Sequence, residues 1–129
     1  MNQTDCIFCQ IINRQIQAEI VYENEAVLAF LDIKPNSYGH TLLIPKNHHQ
    51  DLFELPDETI TSLYLTAKKL AQTIKQKLGA EGINLNMNNG KTAGQIIFHA
   101  HLHIIPRYEA TDPKNHTKKP AQELLNIKV

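Results

Sequence analysis

The sequence lacks an excess of charge of either sign, and it lacks any long hydrophobic run. Its 129 residues carry 13 Lys and Arg against 13 Asp and Glu, so the formal net charge is zero. Without a broad basic surface, we expect no specific nucleic-acid partner and no general nucleic-acid binding. No apolar run approaches the ~20 residues that a membrane-spanning helix needs, so we expect no membrane partner. The length predicts one domain, covering residues 1–129.

Cysteine is also scarce, with only Cys6 and Cys9 in the chain. The first ten residues are polar and do not have the apolar stretch of a signal peptide. We therefore expect a cytoplasmic protein with free thiols or thiolates instead of a disulfide framework. The Cys-x-x-Cys spacing is that of zinc ligands, but one pair supplies only half of a tetrahedral site. The alternative is a reduced, metal-free pair that packs as small hydrophobic side chains.

The pattern of apolar residues predicts an α+β fold, with an antiparallel sheet of about five strands, one long helix and a short N-terminal helix. The short helix is predicted over residues 5–13 behind an Asp5 cap, and the long helix runs from Pro56 to Gly79. Strands are predicted over residues 20–22, 26–33, 40–45, 83–88 and 95–105. The predicted core covers about residues 5–108, followed by a polar C-terminal tail, residues 109–129.

The most informative stretch is a run of alternating histidines on the last predicted strand. His99, His101 and His103 alternate with apolar residues, so a regular strand would place the three imidazoles on one face. The apolar set would pack on the core and direct the imidazoles to one place. Imidazole is the side chain best suited to act as base, nucleophile or metal ligand near neutral pH. This pattern predicts a functional site.

The segment His99-Ala100-His101-Leu102-His103-Ile104-Ile105 resembles the His-φ-His-φ-His-φ-φ motif of the histidine triad (HIT) family. Further blocks are similar in order and spacing, from about residue 5 to 108: Ala29-Phe30-Leu31-Asp32-Ile33 with Pro35, His40, Ile44-Pro45-Lys46, Asn88-Asn89-Gly90 and Gly94-Gln95. The chain is most similar to small histidine triad nucleotide-binding proteins and their bacterial relatives. Those proteins are usually homodimeric purine-nucleotide phosphoramidases or nucleotide hydrolases.

The resemblance implies a hydrolase that attacks an α-phosphorus through a covalent nucleotidyl-histidine. It assigns the nucleophile to His101, whose other ring nitrogen is held protonated by the backbone carbonyl of His99. It implies that His103 contacts the phosphate or leaving group and donates a proton. His40 is implied to lie near the triad and to stiffen it. Phosphate oxygens or a bridging atom would be bound by two amides, Asn88 and Gln95.

The nucleoside would be held by one acid and an apolar wall. The resemblance assigns to Asp32 the role of accepting hydrogen bonds from both ribose hydroxyls, and an acid within an apolar run does need a partner. The implied wall around the purine consists of Ile7, Phe8, Ile11, Ile16, Phe30, Ile33 and Leu42. Plain core packing is the alternative for these wall residues. Apolar walls do not distinguish adenine from guanine.

Bacterial relatives with this cysteine pair bind zinc, and the resemblance completes the ligand set with Cys6, Cys9, His48 and His99. It implies one structural Zn²⁺ per chain, which would connect the N-terminal helix to the sheet. The His99 imidazole is available for this, because His101 needs only the His99 carbonyl. His49 and His116 are interpreted as surface histidines.

Two departures from the family pattern concern the leaving group. Close relatives commonly carry Ser or Thr after the glutamine, whereas this chain has Ile96, and the chain has no tryptophan. Three alternatives remain open: a dinucleoside polyphosphate hydrolase, a nucleotide- or zinc-binding module with weak catalysis, and a catalytic metal site built by His99, His101 and His103. The long helix carries extra apolar residues at Tyr64 and Leu65. In the resembling family this helix and the following strand pair with their copies across a two-fold axis, so the resemblance implies a homodimer. The alternative is that the apolar stripe of the helix only covers the chain's own sheet.

Overall fold

A five-stranded antiparallel sheet with two α-helices forms the body of this computed structural model, which describes residues 3–129. Residues 1 and 2 of the predicted domain lie outside the described residues. The strand order is β1-β2-β3-β5-β4, and every neighbouring pair is antiparallel. The elements are α1 (Ile7–Ile12), β1 (Ile20–Glu23), β2 (Val27–Leu31), β3 (Thr41–Pro45), α2 (Asp57–Leu78), β4 (Gly82–Asn86) and β5 (Leu102–Arg107). The predicted α+β class and architecture are confirmed.

The central strands are buried on both faces, because a helix lies on each side of them. All residues of β2 and β3 are buried, and successive side chains of β2 enter different clusters. Ala29 and Leu31 pack with the apolar stripe of α2, while Leu28 and Phe30 pack with Phe8 of α1. The stripe of α2 consists of Leu63, Ala67, Leu70, Ile74 and Leu78. This division leaves the α1 side of the sheet available for a cleft.

The helix ends follow the sequence signals with one correction. Helix α2 begins with Asp57 and Glu58 and ends before Gly79, whose φ of 70° suits a glycine. The predicted Asp5 cap of α1 is wrong. Cys6 is the capping residue, because its extended backbone lets Sγ accept a hydrogen bond from the Cys9 N–H at 3.4 Å.

The last strand begins later than residue 95, where the sequence placed its start. Strand β5 starts at Leu102, and its ladder with β4 starts where His103 faces Asn86. The backbone before it is engaged elsewhere, since the Ala100 N–H donates to the His49 carbonyl at 2.8 Å. Of the three motif histidines, only His103 therefore lies on the regular strand.

The C-terminal tail is part of the fold, which differs from the expected polar tail outside the core. Ala121, Leu124 and Ile127 are buried against the α2 side of the sheet. The N–H groups of Asn126 and Ile127 donate to the carbonyls of Ile20 and Val21, at 3.1 and 2.9 Å. The tail therefore covers part of the β1 edge, whereas β4 is the other outer strand of the sheet. In residues 3–129, no helix has both the length and the apolar character needed to cross a membrane.

Candidate functional site

A cleft of about 480 Å³ opens on the α1 side of the sheet. Its polar lining includes Asp32, Asn88, His101 and His103, which were singled out from the sequence. All of the apolar wall residues expected from the sequence line it, namely Ile7, Phe8, Ile11, Ile16, Phe30, Ile33 and Leu42. The chain thus brings an apolar surface and two motif histidines into one concave site, as a purine nucleotide would require.

Other lining residues were missed by the sequence reasoning: Gln17, Ala18, Leu31, Lys34, Gly94 and Ile97. Leu31 and Lys34 flank Asp32 and Ile33, so their position next to predicted site residues was a usable signal. Gly94 belongs to the Gly94-Gln95 block, whereas Gln17, Ala18 and Ile97 belong to none of the motif blocks. Ile96, which replaces the usual hydroxyl residue, also lines the cleft and is 82 % exposed.

His101 has one ring nitrogen occupied and one free. Its Nδ1 lies 2.7 Å from the His99 carbonyl oxygen, and because a carbonyl only accepts, Nδ1 carries the proton. A neutral His101 therefore has its lone pair on Nε2. Burial lowers the pKa of His101, which favours this neutral form, and the Phe8 ring packs edge-on at 5.1 Å between centroids. The arrangement is that of an oriented nitrogen nucleophile.

His40 and His103 form a second polar arrangement beside His101. His40 is buried, its Nδ1 accepts a hydrogen bond from the Asn36 N–H at 3.0 Å, and its Nε2 lies 3.0 Å from His103 Nδ1. Burial lowers the pKa of His40 to about 4, although Asp32 acts in the opposite direction. Burial also lowers the pKa of His103. Both imidazoles are therefore neutral near pH 7.

Asp32 lies at the junction of the cleft and this histidine pair. Its Oδ1 accepts from the Lys34 N–H at 2.9 Å, and its Oδ2 lies 3.5 Å from His40 Nε2. The carboxylate is partly exposed in the cleft, so it has capacity for further donors such as ribose hydroxyls.

The two predicted phosphate-binding amides are placed differently. Asn88 lines the cleft, with its Nδ2 3.4 Å from the Gly94 carbonyl. Gln95 is buried outside the cleft lining, and the structure does not bring it to a phosphate position. Its Oε1 accepts from the Gly90 N–H at 2.8 Å, and its Nε2 donates to the Gln50 and Ile97 carbonyls. Gln95 therefore ties the glycine loop to the segment after β3.

The ligand atoms of Cys6, Cys9, His48 and His99 all lie within 4.8 Å of one another. Cys6 Sγ is 3.5 Å and Cys9 Sγ 3.6 Å from His99 Nδ1, and Cys9 Sγ is 3.4 Å from His48 Nδ1. Zinc with Zn–S near ~2.3 Å and Zn–N near ~2.0 Å in a tetrahedron separates S and N ligands by about 3.5 Å. The spacing of these four side chains thus fits a tetrahedral zinc site.

The hydrogen bonds around the cysteines also suit a metal. His99 Nε2 lies 2.8 Å from the Pro45 carbonyl and must donate to it, which leaves the Nδ1 lone pair facing the two sulfurs. Burial lowers the pKa of His99 to about 4, so this imidazole is neutral. Burial also raises the pKa of the Cys6 thiol, a preference that a bound cation reverses.

The three motif histidines do not converge on one point, which corrects the expectation of a row aimed at one place. The His99 ring packs on His48, at 4.9 Å between centroids, while His101 and His103 line the cleft. The chain is not a regular strand before Leu102, so alternation does not fix one face there. Among the described residues, these three histidines do not form a metal-binding group, so the structure gives no support to a catalytic metal site there.

Comparison with known proteins gives one family and consistent relatives. The sequence model of the HIT domain matches residues 13–110. An uncharacterised HIT-like protein of Methanocaldococcus jannaschii is 52 % identical over 104 residues, which cover 81 % of this chain and 80 % of that protein. Adenylylsulfatase HINT3 of Arabidopsis thaliana is 41 % identical over 107 residues, covering 83 % of this chain and 54 % of that protein.

Solved structures agree with this assignment. A zinc-bound histidine triad family protein from Mycobacterium smegmatis superimposes with a TM-score of 0.83 at 38 % identity, over 92 % of this chain and 86 % of that one. A histidine triad nucleotide-binding protein from Candida albicans gives a TM-score of 0.76 at 36 % identity, over 81 % and 76 % of the two chains. The resemblance drawn from the motif is confirmed.

Proposed function

Because this chain belongs to the HIT domain family, we propose that it is a hydrolase of purine nucleotide derivatives that attacks their α-phosphorus with His101. The observation that carries the proposal is the hydrogen bond from His101 Nδ1–H to the His99 carbonyl at 2.7 Å. It leaves the opposite ring nitrogen unprotonated beside a cleft with an apolar wall. A neutral, oriented imidazole is the form that can attack phosphorus.

In the proposed reaction, His101 Nε2 forms a bond to the α-phosphorus while the leaving group departs. The adduct is positively charged on the ring, and the His99 carbonyl stabilises the proton that stays on Nδ1. Water then releases the nucleoside monophosphate. Asn88, His103 and Asp32 line the cleft. In the proposal, Asn88 and His103 would donate to phosphate oxygens, Asp32 would accept from the ribose, and the apolar wall would hold the purine.

We also propose one structural Zn²⁺ per chain, bound by Cys6, Cys9, His48 and His99. The tetrahedral spacing and the lone pair of His99 Nδ1 support this, as does the zinc bound in the Mycobacterium smegmatis relative. When bound, the ion would connect α1 to the segment that carries the His101 partner carbonyl. Its proposed role is to hold that segment in place, because four protein ligands complete its coordination.

The proposed setting is a cytoplasmic homodimer. Tyr64 and Leu65 of α2 and Leu85 of β4 are exposed large apolar side chains, at 43 %, 57 % and 41 %. They lie on the helix and edge strand for which the sequence predicted pairing with a second copy. Light scattering at low micromolar concentration should report about twice the 14.7 kDa chain mass, and an active monomer would refute the dimer.

Two other leaving-group classes remain candidates. The Arabidopsis relative is named an adenylylsulfatase. A dinucleoside polyphosphate hydrolase, the alternative that the sequence left open, would use the same attack on the α-phosphorus. The exposed Ile96 at the cleft supplies no hydroxyl donor, which keeps a binding module with weak catalysis as the alternative outside enzymes. A panel of adenosine phosphoramidate, adenylyl sulfate and diadenosine polyphosphate would rank these functions.

The decisive experiment is to trap the intermediate. Zinc-loaded protein is mixed with adenosine 5′-phosphoramidate, quenched in denaturant at high pH, and digested for mass spectrometry. We expect an adenylyl adduct on His101 of the wild type and of the His116→Ala control, whose histidine is exposed. Turnover without any adduct, or full turnover by His101→Ala, would refute the covalent mechanism.

A further inference from the structure

We infer that His103 acts on the substrate as a fixed hydrogen-bond donor and does not supply the proton to the leaving group. The inference deepens the role of His103 within the proposed function, and it differs from the proton-donor role that the family resemblance implies. It follows from a chain of hydrogen bonds that begins at a backbone N–H and ends in the cleft.

The first link is the Asn36 N–H, which can only donate. It lies 3.0 Å from His40 Nδ1, so that nitrogen must accept. A neutral imidazole that accepts at Nδ1 carries its proton on Nε2. His40 is 3 % exposed, and burial of this kind disfavours the cation. The backbone therefore sets the tautomer of His40.

The second link is the contact between His40 and His103, which determines the tautomer of His103. His40 Nε2–H has two acceptors nearby, His103 Nδ1 at 3.0 Å and Asp32 Oδ2 at 3.5 Å. The shorter contact is a hydrogen bond by its distance, and the longer one is at the limit. His103 Nδ1 accordingly accepts, and a neutral His103 has its proton on Nε2. No hydrogen bond to this Nε2 is found within residues 3–129, and His103 lines the cleft.

This arrangement prevents proton transfer from His103. If the neutral ring lost its Nε2 proton, it would become an imidazolate, which is not accessible near pH 7. If His40 passed its own Nε2 proton to His103 at the same time, His40 would become the imidazolate, because its Nδ1 faces a backbone N–H that does not give up its proton. If His103 instead started as a cation, its Nδ1–H would face the His40 N–H, two donors 3.0 Å apart. Among residues 3–129, Asp32, His40 and His101 are the charged or titratable groups beside this ring, and of these three only Asp32 favours the cation. His103 is thus held as a neutral donor.

The reaction then balances without a proton from His103. The His101 Nε2 lone pair forms the N–P bond, the bond from phosphorus to the leaving group breaks, and its electron pair stays with the leaving group. Solvent water supplies the proton that an amine leaving group needs. In the second step water attacks phosphorus, the N–P pair returns to Nε2, and the water proton goes to solvent. His103 donates to a phosphoryl oxygen in both steps and keeps its proton.

The tautomer can be tested without substrate, so this test does not depend on the proposed function. The full zinc-loaded protein, with ¹⁵N-labelled histidine, is examined by long-range ¹H–¹⁵N correlation, and His103→Gln identifies the His103 signals. We expect a protonated Nε2 and an unprotonated Nδ1 at neutral pH. His40→Ala, checked for folding by its zinc content, should shift the Nδ1 resonance or mix the tautomers. A cationic His103, or a proton on Nδ1 in the wild type, would overturn the inference.

A kinetic test separates a donor from an acid. The kcat/KM values of His103→Ala and His103→Gln are measured on adenosine 5′-phosphoramidate, whose amine needs a proton, and on the p-nitrophenyl ester of AMP, whose phenolate does not. Loss of a preorganised donor should cost His103→Ala about 10²–10³-fold on both substrates. The glutamine amide replaces the N–H and should lose a smaller factor, equal for both. A selective loss of about 10²–10⁴-fold on the phosphoramidate by His103→Gln would identify a general acid and overturn the inference.

Discussion

Within residues 3–129, two clusters offer at least three metal-ligating side chains whose ligand atoms lie within 4.8 Å of one another, yet only one of the two has hydrogen bonds that suit a metal. The cysteine cluster comprises Cys6, Cys9, His48 and His99, and the aspartate cluster comprises Asp32, His40 and His103. In the first, the distal nitrogen of His99 donates to the Pro45 carbonyl, so the inner nitrogen has a lone pair. In the second, the distal nitrogen of His40 accepts from the Asn36 N–H, so the inner nitrogen has a proton.

The difference shows that proximity of ligands does not define a metal site by itself. A histidine ligand must be neutral and must present an unprotonated nitrogen to the ion, which its outer hydrogen bond decides. For a metal to bind in the aspartate cluster, the proton of His40 would have to move from Nε2 to Nδ1. The protonated Nδ1 would then face the Asn36 N–H, which is also a donor. One backbone carbonyl and one backbone N–H thus distinguish the proposed zinc site from the hydrogen-bond chain that we propose for the cleft.

The largest expected effect is the loss of catalysis on replacing His101, which bonds to the His99 carbonyl on one side and contacts the His103 ring on the other. His101→Ala should lower kcat by more than about 10³-fold, because the nucleophile is removed. Nucleotide affinity should stay within about tenfold, ~1.4 kcal/mol, since the cleft walls remain. Stopped-flow kinetics and calorimetric titration measure the two quantities. Zinc content should be unchanged, and near-full activity would contradict the assignment.

Metal removal should distinguish the clusters by their effect on stability. Cys9→Ala should abolish stoichiometric zinc binding and lower the free energy of unfolding by several kcal/mol, about 3 or more, because metal-binding energy is part of folding energy. Metal analysis and denaturant unfolding measure both. The matched control is Asp32→Asn in the aspartate cluster, which should keep one zinc per chain. A wild type that takes up no zinc on titration would contradict the site.

The aspartate cluster should make stability depend on pH through His40. Its pKa is about 4 in the folded protein and about 6.5 when unfolded, so the unfolded chain binds more protons between these values. The stability that this group contributes is complete above pH 6.5 and is lost as pH falls towards 4. Wild type should lose up to about 3 kcal/mol more than His40→Gln over this range. Both proteins retain the cysteine cluster, so subtracting their urea-unfolding profiles cancels its effect. Parallel profiles would contradict the assignment.

The smallest expected effect concerns the ribose. Asp32→Asn should weaken nucleotide binding by about 1–3 kcal/mol, because a charged acceptor for two hydroxyls is lost. The loss should shrink for a 2′,3′-dideoxy ligand, as measured by calorimetric titration. An equal loss for both ligands would mean that Asp32 acts through His40 alone.

The motif made the family, the cleft walls and the four side chains of the cysteine cluster predictable, since these depend on residue type and spacing. The roles of individual atoms were not predictable. Whether a histidine presents a lone pair depends on backbone groups, such as the Asn36 N–H, that carry no residue signature. Gln95 shows the same limit, because both ends of its amide are taken by backbone groups of the glycine loop and the post-β3 segment.

Local departures from regular secondary structure explain the remaining differences between the predicted and the observed fold. Period-two alternation predicted a strand from residue 95, but the Ala100 N–H bonds to the His49 carbonyl and the regular strand starts at Leu102. The His99 ring contacts His48, whereas His101 lines the cleft. The tail was expected to be polar because its three buried side chains are spread over residues 121–127. These side chains recur at every third position, but the run is too short to be recognised as a periodic pattern.

The tail pairing at β1 has a consequence for how copies of this chain associate. Asn126 and Ile127 occupy backbone groups of Ile20 and Val21, so each copy seals part of one sheet border with its own chain. If two copies pair through their β4 borders, as proposed above, the pairing would stop at two copies, because the β1 border of each copy is partly covered. A chain with both borders free could add further copies at each end. Residues 126 and 127 would thus limit each copy to one partner.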